Sequence, residues 1–172
     1  MTLFTQWFPD PRFMHLSDWT VGRDGTLTRW NSGRGFDLTT TTEGSFAYMT
    51  SPVFEAPAGQ TLNLVATVQV SAGATTNLSW GYLLMLHDGS KPSSDGSSIV
   101  AKISQVSDDH QAVRFTVPAS GLLGLQGVAP NEQGGQLKVS ELSIVSDAGL
   151  AWMRDNNQWW IHHALMPLQR SA

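Results

Sequence analysis

The chain contains no cysteine and only two tyrosines, and its 172 residues include just ten Lys or Arg and fourteen Asp or Glu. The missing cysteine excludes a disulfide framework, a thiol nucleophile and a thiolate metal site. Charged residues make up 14% of the chain, against roughly 25% in an average soluble domain. The densest basic feature is Arg23, Arg29 and Arg34, each several residues apart. That is no phosphate-binding stripe, so the sequence predicts no nucleic-acid partner. No run approaches the roughly 20 apolar residues of a membrane span. The first residues, Met1 to Pro11, lack a basic start, a long apolar run and a small-residue cleavage site. They do not read as a secretory signal, and the expectation is a protein made in the cytoplasm and not inserted in a membrane.

What is present is aromatic and apolar: seven Trp, seven Phe and 41% hydrophobic residues at a net charge of −4. That composition predicts a packed domain rather than a disordered chain. The apolar residues recur with period two. Leu62, Leu64, Ala66, Val68 and Val70 alternate with polar neighbours, Val65 excepted. Leu78, Trp80, Tyr82, Leu84 and Leu86 share one phase, and Val113, Phe115 and Val117 another. Between Gln136 and Val145 the phase shifts from Leu137 and Val139 to Leu142 and Ile144, which predicts a bulge or a strand buried on both faces. Phe46 to Phe54 and Ile99 to Ile103 are further predicted strands. Turn-rich segments separate them, at residues 56–59, 88–98, 118–121 and 131–135. Short strands without a long amphipathic helix predict an all-β sandwich or barrel. The expected layout is an N-terminal arm over residues 1–20, a sandwich over 21–146, and a C-terminal arm over 147–172 with a short helix ended by Pro167.

The order of motifs then resembles a known family. Phe8-Pro9-Asp10-Pro11-Arg12-Phe13, followed by Leu16-Ser17-Asp18-Trp19-Thr20, is similar to the opening of jelly-roll carbohydrate-binding modules. Ser51 to Gln60 before a long strand resembles their middle segment, and Val113 to Val145 their closing strands. The resemblance covers roughly residues 8–146 and implies a galactose-binding-like jelly-roll β-sandwich. The family's opening Asn is Asp10 here and its Glu is Met14. That departure leaves the structural calcium often held there unsupported, and neither a cofactor nor a metal site is expected. Family members serve as sugar-binding appendages of hydrolases or as parts of bacteriophage tails, baseplates and capsids. The expectation drawn for this chain is a non-enzymatic structural or adhesive component of a phage virion, a minor tail or baseplate-associated protein in a multi-copy or homo-oligomeric assembly. A capsid decoration protein and a true module for host surface glycans are the alternatives.

Catalytic motifs are absent from the sequence: no Gly-x-Ser-x-Gly, no His-Glu-x-x-His and no phosphate loop. Gly121 to Gly127 reads as a strand with close backbone packing. Asp108-Asp109, and Asp88 with Asp95, read as solvated turns or loops. His162-His163 is a poor metal pair because adjacent side chains diverge. His15, His87 and His110 are isolated in sequence. Aromatics are the better candidates, because sugars stack on Trp and Tyr. Trp30 lies among Arg29, Asn31, Ser32 and Arg34, and Trp80 and Tyr82 lie two residues apart. These three are the carbohydrate-binding candidates, with core packing as the competing role. Trp7, Phe8, Trp152, Trp159 and Trp160 are the candidates for docking on other virion proteins. Residues 56–86 and 115–131 carry no charge at all, which suggests a surface that meets a partner.

Overall fold

The computed structural model describes residues 5–71 and 81–159. Among them are eleven strands: β1 (Thr20–Val21), β2 (Gly25–Trp30), β3 (Gly35–Thr40), β4 (Tyr48–Thr50), β5 (Phe54–Glu55), β6 (Thr61–Val70), β7 (Leu84–Asp88), β8 (Ile99–Ile103), β9 (Ser107–Thr116), β10 (Leu122–Val128) and β11 (Gln136–Val145). One helix, α1 (Asp147–Asp155), follows. One sheet runs β1-β4-β10-β7-β8, with β5 also paired to β10; the other runs β2-β3-β11-β6-β9. Every pairing is antiparallel. The chain crosses between sheets after β1, β3, β5, β6, β8, β9 and β10. This is a jelly-roll β-sandwich, the expected fold class.

Alternation places the core. Leu62, Leu64, Ala66 and Val68 of β6 face Leu137, Val139, Leu142 and Ile144 of β11 and the inner residues of the other sheet, all buried. The phase shift in β11 is a bulge. Register jumps between Ser140 and Ser143, and Glu141 takes a left-handed φ of 54°, so Leu142 re-enters the core. Gly121 to Gly127 is indeed closely packed strand. A Cβ on Gly124 would lie 2.3 Å from the His87 ring, and one on Gly127 2.7 Å from Met49.

The predicted strand from Phe46 to Phe54 is two short pieces. Pro52 has no N–H to offer the ladder. Ser51 bridges the gap: its N–H donates to Leu125 O (2.8 Å), and its hydroxyl accepts from Leu125 N–H (3.0 Å). The hairpin of β2 and β3 was not anticipated from sequence, although Phe36, Leu38 and Thr40 alternate with Asp37 and Thr39.

The described N-terminal residues belong to the sandwich. Phe8, Phe13 and Trp19 are buried. Phe13 and Trp19 both meet Phe36 of β3, at ring separations of 5.5 and 5.6 Å, and Phe8 meets Phe54 at 5.9 Å. Such aromatic pairs contribute about 0.5–1.5 kcal/mol each beyond burial. The Gln6 side chain accepts from Phe8 N–H (3.0 Å) and Ile144 N–H (2.7 Å), and Trp7 N–H donates to Ile144 O (2.9 Å). A side-chain amide thus continues the ladder beside β11 beyond its pairing with β3.

The uncharged stretches also turn inward. β6 lies between β11 and β9, and β10 between β4 or β5 and β7. Both strands are buried on both faces along most of their length. Outside the main core, β6 is covered by α1: Val65 and Val145 pack with Leu150 and Met153, flanked by Trp152 and Trp159. Outside β10, Val128 packs with Tyr82 and Met85, flanked by Phe46. The uncharged residues 61–70 and 122–128 are therefore largely buried within the chain itself; residues 72–80 of the first uncharged stretch lie outside the described residues.

Candidate functional site

The outer face of the five-stranded sheet divides in two. One half lies under α1. Its N-cap Ser146 accepts from Gly149 N–H (3.1 Å), and Asp147 opens the helix with Arg154 in its last turn, each sign suited to the helix dipole. The Asp147 carboxylate binds Asn63 Nδ2 (2.8 Å) and Arg114 Nη2 (2.9 Å). Those donors lower its pKa, Asn63 first. The helix ends with Asn157 at φ 48°; Pro167, its expected terminator, lies outside the described residues.

The other half is an open cleft of about 480 Å³, lined by Trp30, Gln69, Val70, Ser71, Val106, Ser107, Asp108, Gln136 and Lys138. Register builds it. Thr28 lies opposite Asp37, Asp37 opposite Lys138, and Lys138 opposite Gln69. A transverse polar row thus crosses β2, β3, β11 and β6 on the face away from the core. Gln136 Nε2 donates to Asp37 Oδ2 (2.9 Å) and Thr39 Oγ1 to Asp37 Oδ1 (3.0 Å). At the far wall, Gln69 Nε2 donates to Asp108 Oδ1 (2.6 Å).

Trp30 ends β2 at the near wall, half-buried, with the Lys138 ammonium 5.4 Å from its ring centroid. The turn that follows carries left-handed residues Asn31, Ser32 and Gly33. Opposite Trp30 stands Gly35, where a Cβ would lie 2.2 Å from Val139 O. The close approach of β3 to β11 demands glycine there.

A second cluster marks the divide between the halves. Bulge residue Glu141 binds His110 Nε2 and, at 3.5 Å, Arg34 Nη1. The His110 bond is the main cause of the lowered Glu141 pKa, with the charges of His110 and Arg34 assisting against burial. Trp159 stacks on His110, ring centroids 4.3 Å apart and 8° from parallel, and its Nε1 donates to Asn157 Oδ1 (3.1 Å).

The sequence-selected residues scatter. Trp30 lines the cleft. Tyr82 is corrected to a core residue: it is 3% exposed, its hydroxyl accepts from Gln126 Nε2 (3.0 Å), and burial raises its pKa. Gly81, at φ 72°, precedes it, and Tyr82 lies outside β7 on the face of Met85 rather than in phase with Leu84. A buried ring offers no stacking face. Phe8, 1% exposed, is likewise core rather than docking surface. Trp7 packs against the main core, and Trp152 and Trp159 against the α1 cluster. Trp80, Trp160, His162 and His163 lie outside the described residues. Asp108 and Asp109 sit in β9, not in a turn. Asp88 does sit at a loop, where Ser90 and Ser120 hold its pKa down to about 2. Asp10 spends both carboxylate oxygens on Met14 and His15 N–H groups, each at 2.9 Å. Among the described residues no group of three or more His, Asp or Glu side chains is placed to hold a metal ion, and no helix is long and apolar enough to cross a membrane. Sequence reasoning missed Asp37, Gln69, Gln136 and Lys138. For Gln69, Gln136 and Lys138 the signal was the polar phase of strands singled out only for their apolar phase; Asp37 lies on β3, a strand the sequence reading did not single out.

No protein-family model and no curated protein matches the chain in sequence. Solved structures do match. The enzymatically active domain of bacteriophage CBA120 tailspike protein 4 is similar at 18% identity and a TM-score of 0.49, over 78% of this chain and 20% of that one. A carbohydrate-binding module of Cellvibrio mixtus lichenase 5A, solved with cellotriose, is similar at 10% identity and a TM-score of 0.47, over 83% of this chain and 97% of that one. The C-terminal module of a laminarinase from Zobellia galactanivorans follows at 13% identity and a TM-score of 0.42, over 70% and 90%. The chain spans only 20–29% of the first three structures it matches. The solved structures it is similar to include carbohydrate-binding modules and a phage tailspike domain.

Proposed function

We propose that this chain is a non-catalytic glycan-binding domain whose ligand lies in the cleft on the outer face of the five-stranded sheet. The observation that carries the reading is the convergence on one open groove of a half-buried tryptophan, two amide side chains and an ammonium. A pyranose offers an apolar face to Trp30 and hydroxyls to Gln69, Gln136, Lys138 and Asp108. The Nε2 groups of both glutamines already donate to carboxylates, which turns their carbonyl oxygens into acceptors for ligand hydroxyls. At about 480 Å³, the cleft falls within the roughly 300–1,000 Å³ of small-molecule sites. The test is a glycan array followed by calorimetric titration. Binding at micromolar to low-millimolar Kd, weakened at least tenfold by Trp30→Ala without loss of folding, is the expected result. An array without a single hit that Trp30→Ala removes would overturn the reading.

The virion setting expected from sequence has less to support it. Its docking arms were to be terminal aromatics, yet Phe8 is core, and Trp7, Trp152 and Trp159 pack against the chain's own clusters. Trp160, the remaining docking candidate, lies outside the described residues. Deleting residues 160–172 and scoring incorporation into particles tests that role; incorporation at the full level would exclude it.

A further inference from the structure

Among the described residues Lys138 makes no ion pair, in a cleft lined by one carboxylate, Asp108, with Asp37 buried beside it. Register sets Lys138 directly opposite Asp37, yet the two do not pair. The reason lies with Asp37. Its two oxygens already accept from Thr39 and Gln136, and the residue is 8% exposed. The ammonium instead lies 5.4 Å from the Trp30 ring centroid. The other carboxylate, Asp108, stands on β9, two strands from β11. Two strand spacings amount to roughly 10 Å, about one Debye length at 0.1 M salt. Asp108 is also held by Gln69. The cleft lining is therefore polarised: the Lys138 ammonium is presented at the tryptophan end while Asp37 beside it is covered, and the Asp108 carboxylate stands at the far wall.

Resting on the glycan-binding reading above, we propose that the cleft selects an acidic sugar, one that stacks its ring on Trp30 while its carboxylate or sulfate takes the Lys138 ammonium. A neutral sugar stacked on Trp30 would gain only a hydroxyl hydrogen bond from Lys138. An anionic substituent adds direct charge–charge attraction to that bond. The polarity also fixes direction. The acidic group lies toward β2, and hydroxyl-rich units extend over Gln69 toward Asp108, which repels a second anion there.

The experiment is an array carrying each uronate oligosaccharide beside its methyl ester, and each sulfated glycan beside its unsulfated parent. Any hit is then titrated against the wild type, Lys138→Met and Trp30→Ala. The expected result is that acids bind at least tenfold more tightly than their neutral counterparts. Lys138→Met should erase that difference, weakening the acids far more than their neutral counterparts, whereas Trp30→Ala should weaken both alike. Preference within the acidic arm for uronates or sulfates identifies the anion. If neutral members bind as well as acidic ones and Lys138→Met changes nothing, the acidic-sugar proposal falls while the glycan-binding reading stands. If no glycan binds, both fall. Lys138→Met keeps the aliphatic stem on the sheet, and a circular dichroism melt confirms that every variant is folded.

Discussion

Along β6 and β11 the same sheet face is closed at one end and open at the other. The closed end shows Val65 and Val145, sealed by Leu150 and Met153 of α1. The open end shows Gln69 opposite Lys138. Between them the bulge at Glu141 interrupts the register. Two strands with one alternation thus change chemistry halfway along. Apolar side chains stand where the chain supplies its own cover, and amides and an ammonium stand where it leaves solvent. The open end is built as carefully as the closed one, with Asp37 and Asp108 each held by a named donor.

The comparison is most easily broken at the closed end. Met153 is fully buried against β6 and β11. Met153→Ala should cost roughly 2–5 kcal/mol, read as a lower urea midpoint. If the loss falls under about 0.5 kcal/mol, α1 is not a structural cover and the two halves do not differ as described. A smaller effect is expected at the helix cap. Ser146→Ala removes the acceptor for Gly149 N–H and should cost about 1 kcal/mol; Ser146→Asp should restore it.

The boundary cluster is tested by pH. The Glu141 pKa is lowered in the folded chain. Its stabilising contribution is therefore complete above the ordinary glutamate range, near 4.3, and is lost as pH falls through the folded value. Wild type should exceed Glu141→Gln in stability at pH 6–7, and the gap should close in acid. Equal stability of the two proteins at neutral pH would show that the contacts to His110 and Arg34 contribute nothing. Because Trp159 stacks on His110, its fluorescence gives a local readout of the same transition.

How much of this was legible in the sequence follows from the physics of alternation. β6, β8 and β11 were readable because their apolar residues recur at period two, and the Leu137/Val139 to Leu142/Ile144 shift announced the bulge. Tyr82 misled because period two was carried from Leu84 back through Leu83, yet Leu83 and Leu84 both enter the main core, so the phase breaks there and Tyr82 falls with Met85. The hairpin of β2 and β3 was missed because Thr26, Thr28, Asp37 and Thr39 make its outer face polar, and apolar runs drew attention elsewhere. Trp30 was selected for its polar neighbours in sequence, Arg29 and Arg34. The structure gives it different companions, Lys138 from β11 and Gln69 from β6, which antiparallel pairing brings across from distant positions. No local pattern carries that pairing. The site was legible as residue types and illegible as a constellation.

The gentlest perturbation draws the sharpest line between the halves. Gln69 lies on β6 in the same outward phase as Val65, but over the open cleft. Its bond to Asp108 is solvent-exposed, so Gln69→Ala should leave stability within about 0.5 kcal/mol of wild type. Its side chain nevertheless forms the β6 end of the transverse row, opposite Lys138. Losing it removes an acceptor for ligand hydroxyls and the donor that orients Asp108. Affinity should fall severalfold while the melting curve stays in place. Val65→Ala, four residues earlier on the same face, should do the reverse: a lower melting temperature with affinity for any array hit retained. If both substitutions lower stability alike and neither moves binding, the cleft is ordinary surface, and the change from valine to glutamine along β6 records only where α1 happens to end.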